Sequence, residues 1–570
     1  VDRKLLPLKA HYFLFNAGTA PVVPFMPTLA KQLGFSSTIV GTIYTILPIT
    51  GMLAKPLFGL MADRYKKQKF FFILFQLVTA LAFFGIMFVQ SKVQAPSVEL
   101  HCNDGESSVK FCSKRAVISE CLRDKLAYGG KSIDCQLKCK FKSWMSDVMC
   151  DHWQLSEACN EINDRSFTLH ISSNRTVISN DCIFILFNYA EIMDKRVSLY
   201  CPFKETKNYF NATCEATCLD QEFEQLISED IITEKNAFKM FQFWLFLSLL
   251  VISWIGMAVV VSIGDAICFE MLGDRHHLYG NQRLWGAIGF GVCSLLAGFL
   301  VDQLSSNSFL KDYTIVFCMT LVFIGFDIIV STRLQHFQVN VSTNIISDVS
   351  SMFLSPKILL FFTWCVVVGV CTALVWNLLF WHLEELATSQ DTCGSQSWIK
   401  TLQGLVMCIQ CFGGEVPLFF LSGWILKKIG HVSAMGLVLF GFSLRFILYS
   451  LLSNPWWVLP IELLNGLTFG IFYPTMTSYA CVIAPPGAEA TLQGLVGAIF
   501  EGVGVSMGSF LGGMLFDKIG GSATFRVYGI FALCALVFHV CIHRFWPKLK
   551  TSDASLYYST PSDAMHILQQ

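Results

Sequence analysis

Residues 56–69 read PLFGLMADRYKKQK. An apolar run enters this stretch from about Val40 and ends at Gly59. Asp63, Arg64, Lys66, Lys67 and Lys69 follow, and a second apolar run begins at once. Two apolar spans joined by a short basic hairpin with one acid form a membrane pattern. The Lys/Arg excess puts that hairpin on the cytosolic face. The bulk composition agrees: apolar residues make up 54% of the 570, charged residues 14%, and Phe alone numbers 51. A soluble domain carries about 25% charged residues. The net charge of zero averages an apolar body with polar loops, so it says little about partners; no nucleic-acid partner is expected.

Twelve apolar runs are legible, at about 10–33, 38–61, 70–90, 238–264, 282–303, 312–332, 357–386, 399–426, 432–452, 455–483, 490–516 and 524–544. Each is long enough to cross a bilayer as helix. The ends and hairpins carrying Arg3, Lys4 and Lys9; Arg64 to Lys69; Arg275 and Arg283; Arg333 and Lys357; Lys427 and Lys428; and Arg544 and Lys548 fall on one face. With twelve spans both termini are then cytosolic, and the plasma membrane is the expected location. No cleavable leader is visible, and the chain begins at Val1 rather than Met.

These patterns divide the chain into residues 1–90 (helices 1–3), 91–237 (a polar insert), 238–333 (helices 4–6), 334–356 (a cytosolic linker), 357–545 (helices 7–12) and 546–570 (a cytosolic tail). Repetition supports two halves. Gly59-x-x-x-Asp63-Arg64 ends span two and Gly423-x-x-x-Lys427-Lys428 ends span eight; GFLVD (298–302) ends span five and GMLFD (513–517) ends span eleven. Features recurring six spans apart are what a duplicated six-helix unit leaves.

The side rule places the insert outside the cell or in a lumen. It carries the sequons at Asn174 and Asn211, which need that exposure. It also holds eleven of the 22 cysteines: Cys102, Cys112, Cys121, Cys135, Cys139, Cys150, Cys159, Cys182, Cys201, Cys214 and Cys218. Disulfides are the expected reading on an oxidising face, with zinc as the rival. Eleven is odd, and Cys393 in the loop between spans seven and eight would complete a twelfth. A third sequon, Asn340-Val-Ser342, falls on the cytosolic side and is expected to stay unmodified.

An acid or base at the bilayer centre costs about 2.5–3.5 kcal/mol, so such residues face a cavity or each other. Lys55, Asp265, Asp327, Glu415, Arg445, Glu462 and Glu501 are in this position. Each alone could be a buried ion pair or an interfacial residue; together, in both halves, they point to a central polar cavity. Asp265 near the end of span four and Arg283 at the start of span five are the sharpest pair, able to hold a solute by directional hydrogen bonds. Trp285 could stack on a ring. A cytosolic latch is the alternative. Glu415 follows two glycines and precedes Pro417; it reads as a proton-exchanging coupling residue or as a partner of Arg445. His382, Glu384 and Glu385 in FWHLEEL (380–386) are metal-ligand types, yet they read as a solvated end of span seven, so no metal site is expected. No phosphate loop, nucleotide cassette or nucleophile triad is visible. No enzymatic activity, cofactor or use of ATP is expected.

At PLFGLMADR the chain resembles the major facilitator superfamily, whose loop between helices two and three carries G-x-x-x-D-R-x-G-R-K; a lysine stands here for the second glycine. PFMP (24–27), VGTIYTILPITGMLAKPLFGLMAD (40–63) and YGNQRLWGAIGF (279–290) resemble its sugar/proton symporter branch, typified by lactose permease. That resemblance implies an acid–arginine pair eighteen residues apart at Asp265 and Arg283, and a coupling arginine at Arg445. It departs on span ten, where the branch's proton-carrying His and Glu align with Asn465 and Thr468, so coupling would fall to Glu415 or Glu462. FWHLEEL, VLPIELLNG (458–466), TLQGL (491–495) and SATFRVYG (522–529), with the long insert, are similar to the animal group of major facilitator superfamily domain-containing protein 6. The expectation is an all-α membrane protein of twelve helices in two six-helix bundles with a disulfide-rich outer insert. It would be a monomer that moves a small polar solute, with or without a proton. Gly59, Asp63 and Arg64 would gate the cavity. The alternative is a cell-surface receptor that binds an extracellular protein through 91–237.

Overall fold

The computed structural model describes residues 5–65, 67–89, 97–102, 107–112, 133–140, 150, 153, 166–173, 175–179, 182–192, 195–199, 210–218, 234–272, 279–305, 311–334, 356–389, 398–483 and 489–545. The side chains of Gly59, Asp63 and Arg64, and residues Cys121, Cys159, Asn174, Cys201, Asn340 and Cys393, lie outside the described set. The chain divides into two compact units: residues 1–90, 233–387 and 397–570, and residues 91–232 with 388–396.

The first unit is helical. In lipid every backbone N–H and C=O must be paired within the segment, and a helix does this. Ten helices among the described residues are long and apolar enough to cross a bilayer. Their outward faces carry large apolar groups, such as Phe241, Phe420 and Trp424 at 73%, 66% and 63% exposure. A water-facing surface would not tolerate them in this number.

In chain order the helices are α1 (Leu6–Thr19), α2 (Met26–Gln32), α3 (Ser37–Arg64), α4 (Gln68–Ile86), α5 (Glu234–Ala237), α6 (Phe241–Leu272), α7 (Tyr279–Leu304) and α8 (Thr314–Ser331). A second set follows: α9 (Pro356–Ser389), α10 (Ile399–Ile409), α11 (Val416–Ser450), α12 (Val458–Glu462), α13 (Phe472–Ile483), α14 (Glu489–Ala498), α15 (Ser506–Ile519) and α16 (Gly521–Phe545).

The first apolar run is not one helix. Pro21, Pro24 and Pro27 remove ladder donors, and a 3₁₀ turn at Val23–Phe25 separates α1 from α2. The apolar stretch Ile399–Ser450 runs 52 residues, about 78 Å at helical rise, more than twice a bilayer core. It breaks at Gly430, where φ is 75° and ψ 166°, a conformation that glycine takes without a Cβ penalty.

Within the first set, α1 packs on α7 and α8, and α6 on α3 and α4; within the second, α11 packs on α16. Two seams join the sets: α3 against α15, and α7 against α10. Both are built on glycine. A Cβ on Gly41 would meet the Gly513 Cα at 3.0 Å, and one on Gly404 would meet the Leu295 Cα at 2.9 Å. Small residues let backbones approach where lipid supplies no hydrophobic drive between helices.

The second unit is an antiparallel sheet of nine strands among the described residues, in the order β5-β6-β2-β1-β9-β3-β4-β7-β8. The strands are β1 (Ser97–Cys102), β2 (Ser107–Cys112), β3 (Ile133–Lys140), β4 (Ser166–Ser173), β5 (Arg175–Ser179), β6 (Cys182–Phe187), β7 (Tyr189–Ile192), β8 (Lys195–Ser198) and β9 (Phe210–Cys218). Alternation sends Leu100, Leu137, Leu169, Ile183 and Ile192 to one core, as a two-residue period requires. β3 and β9 place Cys135 opposite Cys218 and Cys139 opposite Cys214, and both pairs are disulfides. Cys102, Cys150 and Cys182 are disulfide-bonded as well. Asn211 is exposed on β9.

Candidate functional site

Among the described residues, four clusters of charged side chains stand out within the helical unit. At the centre, α6 supplies Asp265 and α7 supplies Arg283. Arg283 Nη2 donates to Asp265 Oδ2 at 2.6 Å, and the Tyr12 hydroxyl of α1 donates to Oδ1 at 2.8 Å. Nearby, Lys55 of α3 donates to Glu501 Oε2 at 2.8 Å. Tyr473 of α13 is in electrostatic reach of all four charged groups. These side chains are partly exposed: 37% for Arg283, 22% for Asp265, 33% for Lys55 and 45% for Glu501. Charges within apolar spans are costly unless they face one another or water, and here they face one another. Trp285 does not join them. Two residues past Arg283 it lies about 200° round the helix, and it is 40% exposed.

The second cluster belongs to the C-terminal set. Arg445 of α11 is buried at 1% and Glu462 of α12 at 0%, and they form an ion pair. The Tyr449 hydroxyl also donates to Glu462, and Gln410 Nε2 donates to it at 2.7 Å. Arg445 Nη1 donates to Asn465 Oδ1 at 2.8 Å and to Thr468 Oγ1 at 2.9 Å. Asn465 Nδ2 then donates to Glu415 Oε1 at 3.1 Å. Glu415 is therefore joined to Arg445 through Asn465, and the direct partner of Arg445 is Glu462.

Three of these groups stand in widened turns. Gln410–Glu415, Gly466–Gly470 and Ile499–Val505 are π-helical and carry Glu415, Thr468 and Glu501. Such turns concentrate at functional sites. Each contains at least two glycines, which lower the cost of departing from the α ladder.

The third cluster joins α1, α4 and α8. His11 Nδ1 lies 2.9 Å from Asp327 Oδ1, and Gln76 Nε2 donates to Asp327 Oδ2 and to Ser331 Oγ, each at 2.9 Å. His11 and Asp327 are 2% and 0% exposed. The fourth cluster corrects the reading of FWHLEEL as a solvated end. His382 is buried at 2%, and Glu384 pairs with Lys400 of α10, itself 2% exposed, and with Lys31 at 3.5 Å. Lys400 Nζ also donates to Thr28 Oγ1 at 3.1 Å. Beside it, Asp302 of the GFLVD motif accepts from Lys311 Nζ at 2.8 Å and from the Thr401 backbone N–H at 2.6 Å. The Asp302 carboxylate thus caps the start of α10 from a neighbouring helix, where the helix dipole favours negative charge. Among the described residues no group of His, Cys, Asp and Glu has a metal-holding arrangement.

Sequence reasoning missed Tyr12, His11, Gln76, Tyr449 and Lys400. The available signal was a lone polar side chain inside an apolar run, visible for His11 and Gln76. Lys400 stands at a run's first turn and reads as a loop residue.

The model of the MFS_1 like family matches residues 5–527. Major facilitator superfamily domain-containing protein 6-like protein A of Xenopus laevis is 23% identical over 590 residues, covering 97% of this chain and 93% of its own. Maltose permease of Geobacillus stearothermophilus is 22% identical over 284 residues, 49% of this chain and 66% of its own. The crystal structure of nucleoside transporter NupG aligns with a TM-score of 0.57 at 12% identity, over 95% of this chain and 99% of that one. The peptide transporter POT in complex with sulfate aligns at 0.53 and 11%, over 96% and 95%. At such identities the structural likeness speaks to the fold alone. The protein is a multi-pass membrane protein with the fold of a membrane transporter, and it belongs to the MFS_1 like family.

Proposed function

We propose that the protein carries a small polar solute across the membrane by alternating access, through twelve crossings in two six-helix bundles. The count follows if Ile399–Ser450 crosses twice about Gly430 and residues 455–483 cross once through their π turn. Basic hairpins put both termini in the cytosol, with the plasma membrane as the expected site and a monomer as the working unit. The α3/α15 and α7/α10 glycine seams then lie toward the outer ends of these helices, with the Lys400–Glu384 and Asp302 contacts, and the cavity opens inward. Asp63 and Arg64 would latch the opposite, inward-closed form.

The observation that carries this reading is the pairing of Asp265 with Arg283, and of Lys55 with Glu501, by partly exposed charges within apolar spans. Asp265 and Arg283 would hold solute, with Tyr12 positioning the carboxylate; Glu415, Arg445 and Glu462 would serve coupling, to a proton if one is carried. Uptake by cells expressing Asp265→Asn or Arg283→Gln should be abolished at normal surface expression. Normal uptake by both variants would remove the site assignment.

The receptor alternative has one supporting observation. The sheet unit is compact on its own and has a cavity of about 600 Å³ lined by Asp134, His170, Arg175, Glu191 and Arg196 among others. Deleting residues 95–235 separates the readings: retained uptake with lost binding of an extracellular protein gives the insert a receptor role, with Asn174 and Asn211 as its glycan sites.

A further inference from the structure

The central site is built from side chains of both charge signs. It presents two anions, Asp265 and Glu501, and two cations, Arg283 and Lys55, already joined as two ion pairs. The pairs differ in what they connect. Asp265 and Arg283 both belong to the N-terminal helices, on α6 and α7. Lys55 belongs to α3 and Glu501 to the π turn before α15, so this pair crosses between the two helix sets. It stands at their contact: a Cβ on Gly502, next to Glu501, would press on Met52, one turn before Lys55.

Resting on the transport reading, we propose that the solute is a zwitterion, whose ammonium goes to Glu501 or Asp265 and whose carboxylate goes to Lys55 or Arg283. The argument is one of charge balance. A neutral polyol leaves the Lys55–Glu501 pair intact, and the two helix sets stay bridged by it. A monoanion satisfies Lys55 or Arg283 but strands a carboxylate, and a monocation strands an ammonium or guanidinium. A charge left single within an apolar span is costly, and it loses the charge-assisted hydrogen bond it had in the pair. A zwitterion alone replaces both members at once. It takes over the lysine with its carboxylate and the glutamate with its ammonium, in charge-assisted hydrogen bonds of the strong kind. The direct bridge between α3 and the Glu501 turn can then lengthen without leaving either residue unpaired. Binding is thereby tied to separation of the α3/α15 seam, whose outer part is the glycine contact of Gly41 with Gly513.

The test uses the full chain, purified, with two readouts: the shift of its thermal unfolding midpoint on adding solute, and uptake into proteoliposomes. The zwitterionic probes are glutamine, leucine and the dipeptide glycyl-alanine. Maltose stands for neutral solutes, lactate for monoanions and choline for monocations. At least one zwitterion should raise the midpoint and be taken up. Its N-acetyl form and its amide, which each lose one charge, should bind at least tenfold more weakly. Binding of a zwitterion without uptake supports the inference and defeats the transport reading. Uptake of maltose, lactate or choline, with no zwitterion bound, keeps the transport reading and overturns the inference. No binding and no uptake of any probe overturns both. Equal binding of the zwitterion and its amide or N-acetyl form also overturns the inference, with no dependence on how any variant folds.

Discussion

Among the described residues Arg445 is the largest of the fully buried side chains, at 1% exposure. A guanidinium in that position must have its charge and its N–H groups answered, and the structure provides Glu462, Tyr449, Asn465 and Thr468. Replacing Glu462 with Gln keeps the shape and removes the anion. Losing one partner of a buried pair costs about 3–5 kcal/mol. Glu462→Gln should therefore lower the thermal unfolding midpoint of the purified protein more than the double change Arg445→Met with Glu462→Met, which removes both charges together. An unchanged midpoint for Glu462→Gln would show that the pair is not held as ions. At this scale the sequence was half legible. Arg445, Glu415 and Glu462 all stand out as charges in apolar runs, but which carboxylate faces the arginine depends on helix rotation. A π turn changes that rotation locally, and no hydrophobic period records it. Asn465, which aligns with a position of proton chemistry in the resembling branch, proves to be the link between Arg445 and Glu415.

Among the elements, the seams carry the clearest consequence. A Cβ on Gly41 would meet the Ser509 carbonyl oxygen at 2.5 Å and the Gly513 Cα at 3.0 Å, both backbone atoms that cannot turn aside. Gly41→Val should hold α3 away from α15 and cut uptake at least tenfold at normal surface expression. In that background a cysteine at Thr45, whose hydroxyl now donates to the Ser506 carbonyl at 3.2 Å, should gain reactivity toward a membrane-impermeant maleimide. Gly325→Ala is the control, because nothing among the described residues lies within 4 Å of its added Cβ; equal losses in both would dismiss the seam. Apolar length was enough to locate most crossings, since lipid leaves the backbone few choices. It was not enough to see the break between α1 and α2, or the three π turns. Those arise where prolines and glycines interrupt a ladder, and composition records the interruption without its geometry.

At the scale of the whole molecule the two helix sets are unlike in chemistry. The N-terminal helices contribute Asp265 and Arg283 to the partly open centre, together with the closed His11–Asp327 pair. The C-terminal helices seal their arginine in a network and offer Glu501 to the other half. The central site also has an electrical consequence. A charge moved across the membrane field exchanges about 2.3 kcal/mol per 100 mV. Two anions and two cations sum to zero, so the empty carrier drags no net charge through the field when it reorients, and a zwitterion adds none. Net uptake should then be indifferent to a potassium-diffusion potential set with valinomycin. A rate that follows that potential would reveal a co-transported ion and point to Glu415.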